Sequence, residues 1–312
     1  MTSEIQRVAI IGAGALGGMY GAKLLDMDAA AVSFVAGGDR GRRLKKSGLT
    51  VNDRHYRPLV TDPEAPVDAA DLVIVAVKHD QLPAAIDDLR NIVGPDTALI
   101  SVMNGIDSED RLGAAYGMDR VLYAVALGMD ALREENRIRY TRIGKLLFGR
   151  AQNRGADGAV QRLQAFLDRA GIPWEVPENM LRALWWKYMI NVGINQASAV
   201  MGAPFGVFQT SREACGVMET AMREVMAIAG QRGIDLGEAD IQNWYTVLAS
   251  LSPKGKTSML QDIEAGRKTE VEMFGGRIVE IGAACGVPTP VNRTLLKIIR
   301  VLEQRGSLAS AQ

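Results

Sequence analysis

One lysine and two asparagines interrupt the apolar stretch "LWWKYMINVGINQ" at residues 184–196: Lys187, Asn191 and Asn195. A spacing of i, i+4, i+8 turns each only about 40° from the last around an α-helix, so the three share one stripe. Leu184, Trp185, Tyr188, Met189, Val192 and Ile194 make up the rest of the surface, as packing into a core requires. A lysine in such surroundings loses hydration, and its pKa falls toward neutrality, where it can donate a proton and recover it. That is the profile of a general acid for carbonyl reduction. An isolated lysine more often snorkels from a half-buried helix. Unpaired core amides, however, cost on the order of 1–3 kcal/mol each, so two stacked asparagines are expected to line a polar cleft.

Such an acid needs a carboxylate partner. In "SMLQDIEAGRKTEVEMFGG", Glu270 follows Thr269 near the start of a helical segment, flanked by Val271 and Met273. Periodicity alone does not choose Glu270 over Glu264 or Glu272.

A second constellation lies at the other end of the chain. Gly12, Gly14 and Gly17 form G-x-G-x-x-G directly after the short apolar run "QRVAIIG" and before the helical "AGALGGMYGAKLLDM". Strand, glycine turn and helix are the context in which this motif binds a dinucleotide. The first glycine allows the tight turn, the second admits the pyrophosphate, the third lets helix and strand pack, and helix N–H groups face the phosphates. Choice of cofactor is expected near the end of the following strand, where an acid favours NAD and arginines favour NADP. The stretch "GGDRGRRLKK" carries both, Asp39 beside Arg40, Arg42 and Arg43, and leans to NADP.

These sites need scaffolds to position them. At 312 residues the chain is about twice the usual domain size of roughly 150, so two domains are expected. Runs at 6–12, 30–37, 71–78, 97–105 and 120–129 alternate with helical segments, which predicts an α/β domain with a mostly parallel, doubly wound sheet. The piece "RIRYTRIGKLLFG" is expected to extend that sheet as an antiparallel hairpin. Two prolines in "GIPWEVPEN" punctuate the chain near 171–179, and long helical patterns follow at 179–201, 211–232, 238–250, 268–285 and 290–304. The expected division is a dinucleotide-binding domain at 1–176 and an all-α domain at 177–312.

The 36 basic residues balance 36 acidic ones, so no overall field recruits nucleic acid or an anionic membrane. Cys215 and Cys285 with two histidines lack ligand-like spacing, which argues against a disulfide scaffold and a metal site. No run of 18 apolar residues suggests a membrane span, and a cytoplasmic protein is the expectation.

Taken together and in order, "GAGALGG", "VKHDQ", "MNG", "ALWWKYMINVGIN", "SMLQDI", "RKTEVE" and "GVPTPVNRTL" resemble the ketopantoate reductase (2-dehydropantoate 2-reductase) family over nearly the whole chain. The resemblance implies a Rossmann domain followed by an all-α domain like that of 6-phosphogluconate dehydrogenase, with the active site in the cleft between them. It implies NADPH-dependent reduction of a small-molecule 2-oxo acid, ketopantoate to pantoate. By matching motifs, Lys187 is implied to protonate the carbonyl oxygen, and Glu270 to bind the substrate hydroxyl and support that lysine. Asn191, Asn195 and Ser258 are implied to hold substrate, and Asn104 to sit where cofactor meets substrate. The turn Gly12, Ala13, Gly14, Ala15, Leu16 and Gly17, with Lys78 and Arg40, is the implied cofactor site, and a homodimer through the helical domain is a possible assembly. The chain departs from the family at Gly37, where an arginine is common, at Gln196, where many relatives read proline, and at Phe205, where many carry a polar residue. Phe205 either makes the pocket more apolar or packs within its loop. Another 2-oxo acid as substrate, or a nucleotide sensor without catalysis, are the alternatives.

Overall fold

The structure is a computed structural model that describes residues 4–134 and 136–309. Two compact units emerge, Met1–Leu184 and Trp185–Gln312, so the division falls inside a helix, whereas the sequence-based boundary at 176/177 precedes it.

The first unit alternates strand and helix: β1 (Val8–Ile11), α1 (Ala15–Met27), β2 (Val32–Val35), α2 (Gly38–Ser47), β3 (Leu49–Val51), β4 (Arg54–Tyr56), β5 (Leu59–Thr61), β6 (Ala70–Val75), α3 (Leu82–Asp88), β7 (Val93–Ser101) and α4 (Ser108–Tyr116). It continues with β8 (Val121–Leu127), β9 (Leu132–Glu134), β10 (Arg137–Arg139), β11 (Lys145–Gly149), α5 (Gly158–Ala170) and β12 (Trp174–Glu175). Eight strands form one sheet in the order β12-β11-β8-β7-β6-β1-β2-β5. All its neighbours run parallel except β11, which lies antiparallel to β8.

Alternation along the strands builds two cores. Ile10, Phe34, Leu72, Ile74 and Ile100 point to the face covered by Leu24 of α1 and by Leu163 and Phe166 of α5. Ile11, Val73, Val75 and Leu99 point to the other, covered by Leu82 and Ala85 of α3 and Leu112 of α4. Burial on both faces is why these strands read as unbroken apolar runs, each large side chain contributing roughly 1.5–3 kcal/mol.

The stretch "RIRYTRIGKLLFG" does not form one hairpin on the main sheet. Its second half is β11, but its first half, β10, joins a separate four-stranded sheet ordered β4-β3-β10-β9. Ile138, the buried centre of β10, fits against Gly18 of α1, where any Cβ would collide with the isoleucine side chain. Apolar burial onto α1 outweighs sequence proximity to the main sheet.

The second unit is helical: α6 (Met180–Met201, its first turn in the first unit), α7 (Phe205–Thr210), α8 (Arg212–Gln231), α9 (Glu238–Ser250), α10 (Ser258–Glu264), a π-helical turn (Glu272–Gly276), α11 (Arg277–Cys285) and α12 (Pro290–Ala309). Ser211 caps α8 and Thr257 caps α10, their hydroxyls accepting from Ala214 N and Leu260 N. Cys215 and Cys285 are free. Among the described residues no helix is long and apolar enough to cross a membrane. Nor does any group of three or more His, Cys, Asp or Glu among them suit a metal ion.

Candidate active site

In the first unit, the glycine turn, the Lys78 loop and the Asn104 loop follow the carboxyl ends of β1, β6 and β7, which are neighbours in the sheet. Chain order reverses about β1, and ligands of open α/β sheets bind at such a switch point. The three glycines have different duties. Gly12 has φ +105° and packs so closely on the Ala76 carbonyl that a Cβ has no room, and a Cβ on Gly17 would strike the Gly12 carbonyl. A Cβ on Gly14 would meet nothing nearer than the Ala76 oxygen at 3.8 Å. The chain's own packing therefore demands glycine at 12 and 17 but not at 14, as expected if a ligand's backbone contact sets that position. Gly14 also starts α1 without any side-chain cap, which leaves the N–H groups of the first turn for an anion. These residues fit a dinucleotide.

Lys78 is exposed, and Asn104 is half-buried before Gly105, whose φ is +106°. His79 Nε2 sits 3.7 Å from Asp107 Oδ2, which brings the two loops close. Arg40 is exposed on α2, and its charge offsets part of the burial-driven rise in the pKa of Asp88. Asp39, the residue that argued for NAD, is held in an ion pair by Arg42.

In the second unit, α6 carries the polar stripe. Asn191 and Asn195 are buried, and Asn195 Nδ2 donates to Asn191 Oδ1 at 3.4 Å. Ser258, at the start of α10, donates through Oγ to Asn195 Oδ1 at 3.3 Å. Three of the expected substrate residues thus form one hydrogen-bonded row. Lys187, half-buried one turn earlier, has its pKa brought down to about 8 by burial of the ammonium.

Glu264 is paired with Lys256 at 2.7 Å, and Glu272 takes both arms of Arg300 at 2.7 Å, so each serves a surface ion pair. Glu270 is half-buried at the entrance to the π-helical turn. Its carbonyl accepts from Met273 N and Phe274 N, and the Thr269 hydroxyl accepts from Val271 N while donating to Glu303. π-helical turns leave carbonyls without their usual partners. Tyr188, next to Lys187, supplies one: its hydroxyl is directed at Met273 O at 2.8 Å and Phe274 O at 2.9 Å. The lysine's helix and the Glu270 segment are thereby fixed to each other.

Two features escaped the sequence. Tyr188 read as simple core, and nothing in its type or spacing marks a hydrogen bond to a residue 85 positions away. Behind the stripe, Gln196 Nε2 donates to Asn292 Oδ1 at 2.8 Å, and Asn292 Nδ2 donates to Glu224 Oε2 at 2.7 Å. Glu224 stood on the apolar face of α8 beside Ala221, Val225 and Ile228, a mismatch that was visible. Phe205 opens α7 with its ring against Gly255, so it packs within its loop region.

The family model described as "Ketopantoate reductase PanE/ApbA" matches residues 8–153, and that for the family's C-terminal domain matches 179–303. A 2-dehydropantoate 2-reductase of Halobacterium salinarum is 30% identical, aligned over 96% of this chain and 100% of its own length. The crystal structure of a PanE/ApbA family ketopantoate reductase from Ralstonia eutropha JMP134 superposes with a TM-score of 0.80 at 27% identity, covering 96% of this chain and 99% of that one. A D-mandelate dehydrogenase bound to NADH and anilino(oxo)acetate reaches 0.85 at 22% identity over 96% of this chain and 99% of its own, which shows a shared fold. The two matched models together span most of the chain, which therefore belongs to the ketopantoate reductase family.

Proposed function

We propose that this protein is a cytoplasmic NADPH-dependent 2-oxo acid reductase whose substrate is ketopantoate and whose product is pantoate. The observation that carries the reading is the hydrogen-bonded row Asn191, Asn195 and Ser258 on the same stripe as Lys187, whose pKa is lowered to about 8. Bound NADPH supplies the hydride.

As negative charge develops on the carbonyl oxygen, the Lys187 ammonium stabilises it and then transfers its proton. Asn191, Asn195 and Ser258 orient the substrate, with Ser258 toward its carboxylate. Glu270 binds the substrate hydroxyl and favours the charged lysine. Residues 12–17, Lys78, Asn104 and Arg40 hold the cofactor, so that domain 1–176 binds the dinucleotide and domain 177–312 binds the oxo acid. A homodimer through the helical domain belongs to the same reading and is checked by sedimentation.

The test is NADPH and NADH oxidation with ketopantoate beside a panel of 2-oxo acids. Turnover of another acid with silence on ketopantoate rejects the substrate and keeps the class. Tight cofactor binding with no reduction of any oxo acid favours a nucleotide sensor.

A further inference from the structure

The small sheet delivers to the glycine turn a donor that neither the motif nor the resemblance assigns. Arg133 of β9 pairs directly with Ile138 of β10 in antiparallel register, so the two side chains share one face. Ile138 packs on Gly18 of α1, and Arg133, on the neighbouring strand, reaches the start of that helix. There Arg133 Nη1 donates to the Ala13 carbonyl at 2.6 Å.

That carbonyl has a particular place in the turn. The ladder of α1 starts with Gly18 N donating to the Gly14 carbonyl at 2.8 Å, so the Ala13 oxygen lies one residue outside it. In a trans peptide the carbonyl of one residue and the N–H of the next point to opposite sides, and the Ala13–Gly14 peptide is trans. An Ala13 oxygen drawn to Arg133 therefore aims the Gly14 N–H the other way, as one rigid plane. Glycine at 14 tolerates φ of either sign, so the local backbone does little to stop that plane from turning over. A flipped peptide would present an oxygen where a phosphate needs a donor.

We propose that Arg133 is a positioning residue of the cofactor site, whose hold on the Ala13 carbonyl keeps the Gly14 N–H turned to the pyrophosphate. This rests on the reading above that residues 12–17 hold the cofactor. The pyrophosphate is common to NADPH and NADH, so the effect does not depend on the 2′-phosphate. One donor on one carbonyl does not use the guanidinium fork, so lysine should serve in its place.

Fluorescence titration with NADPH and with NADH decides it for the wild type, Arg133→Ala, Arg133→Lys and Gly14→Ala, beside thermal unfolding of each cofactor-free protein. Arg133→Ala is expected to weaken both cofactors equally, by about tenfold, and Arg133→Lys to recover most of that loss. The cofactor KM should rise with kcat unchanged at saturation. Because Arg133 is exposed, the unfolding temperature should stay within about 2 °C of the wild type. Unchanged affinity in Arg133→Ala, a loss confined to NADPH, or a loss that Arg133→Lys does not repair would overturn the proposal, as would a larger fall in unfolding temperature. Gly14→Ala separates that failure from failure of the underlying reading. If it binds both cofactors as the wild type does, the turn is not the cofactor site; weaker binding there with no effect at Arg133 removes the positioning role alone.

Discussion

Replacing Lys187 by methionine should cost activity and raise stability, each with its own pH dependence. Burial lowers the lysine from its ordinary 10.5 to about 8. At roughly 1.4 kcal/mol per pKa unit, holding the ammonium charged in the folded protein costs up to about 3 kcal/mol. The folded-state pKa lies below the unfolded one, so the penalty is complete below about pH 8, shrinks as pH rises, and is gone above 10.5. Lys187→Met keeps the volume and removes the charge. Denaturant unfolding should show it up to about 3 kcal/mol more stable than the wild type at pH 7, with the gap closing by pH 10.5. In the same pH series wild-type kcat/KM should fall through about pH 8 as the ammonium deprotonates, while the variant loses about 10²–10⁴-fold in turnover with little change in cofactor affinity. A stability gap that is absent at pH 7, or independent of pH, would show that the ammonium is not desolvated. A wild-type rate that stays flat to pH 10 would show that another group donates the proton.

Burial lifts Glu109 to about 7 from its ordinary 4.5, so its charged form destabilises the fold increasingly above pH 4.5 and fully above 7. Glu109→Gln should therefore be up to about 3 kcal/mol more stable at pH 8 and equal near pH 4, read by thermal unfolding. Gly14→Ala should fold normally, since its Cβ has space, yet bind NADPH more weakly by titration; Gly17→Ala should unfold at lower temperature because its Cβ strikes the Gly12 carbonyl. Tyr188→Phe strips the π-helical carbonyls of their donor at about 1–3 kcal/mol, and should lower kcat more than it raises KM in steady-state assays.

Legibility followed the range of the interactions. The buried parallel strands and the start and end of α9 could be read directly, because unbroken apolar runs and 3.6-residue periodicity are local signals. The stripe at Lys187, Asn191 and Asn195 was equally legible, since a four-residue spacing inside one helix sets three polar groups in line whatever the rest of the chain does. Glu270 was not separable from Glu264 and Glu272 by pattern. The ion pairs of the other two, with Lys256 and with Arg300, the latter 28 positions beyond Glu272, are not written in that pattern. The small sheet was missed because β3, β4, β9 and β10 are three residues each, too short for an alternating pattern to rise above chance.

The polar row needs backing, and Gln196 shows how the chain supplies it. Asn195 turns to Ser258, while its neighbour Gln196 turns away to Val192 O and Asn292. Asn292 lies in the first turn of α12, where Glu224 receives Val291 N, Asn292 N and Asn292 Nδ2 at 2.8, 3.0 and 2.7 Å. A carboxylate from α8 thus caps α12 at the positive end of its dipole, where negative charge is favourable. On its other side, the Gln196 amide occupies the space that a Cβ on Gly275 would need, so the glutamine and the glycine of the π-helical turn require each other. The glutamine therefore ties α6 to α12 through Asn292 and packs against Gly275 of the π-helical turn, at the level of Asn195.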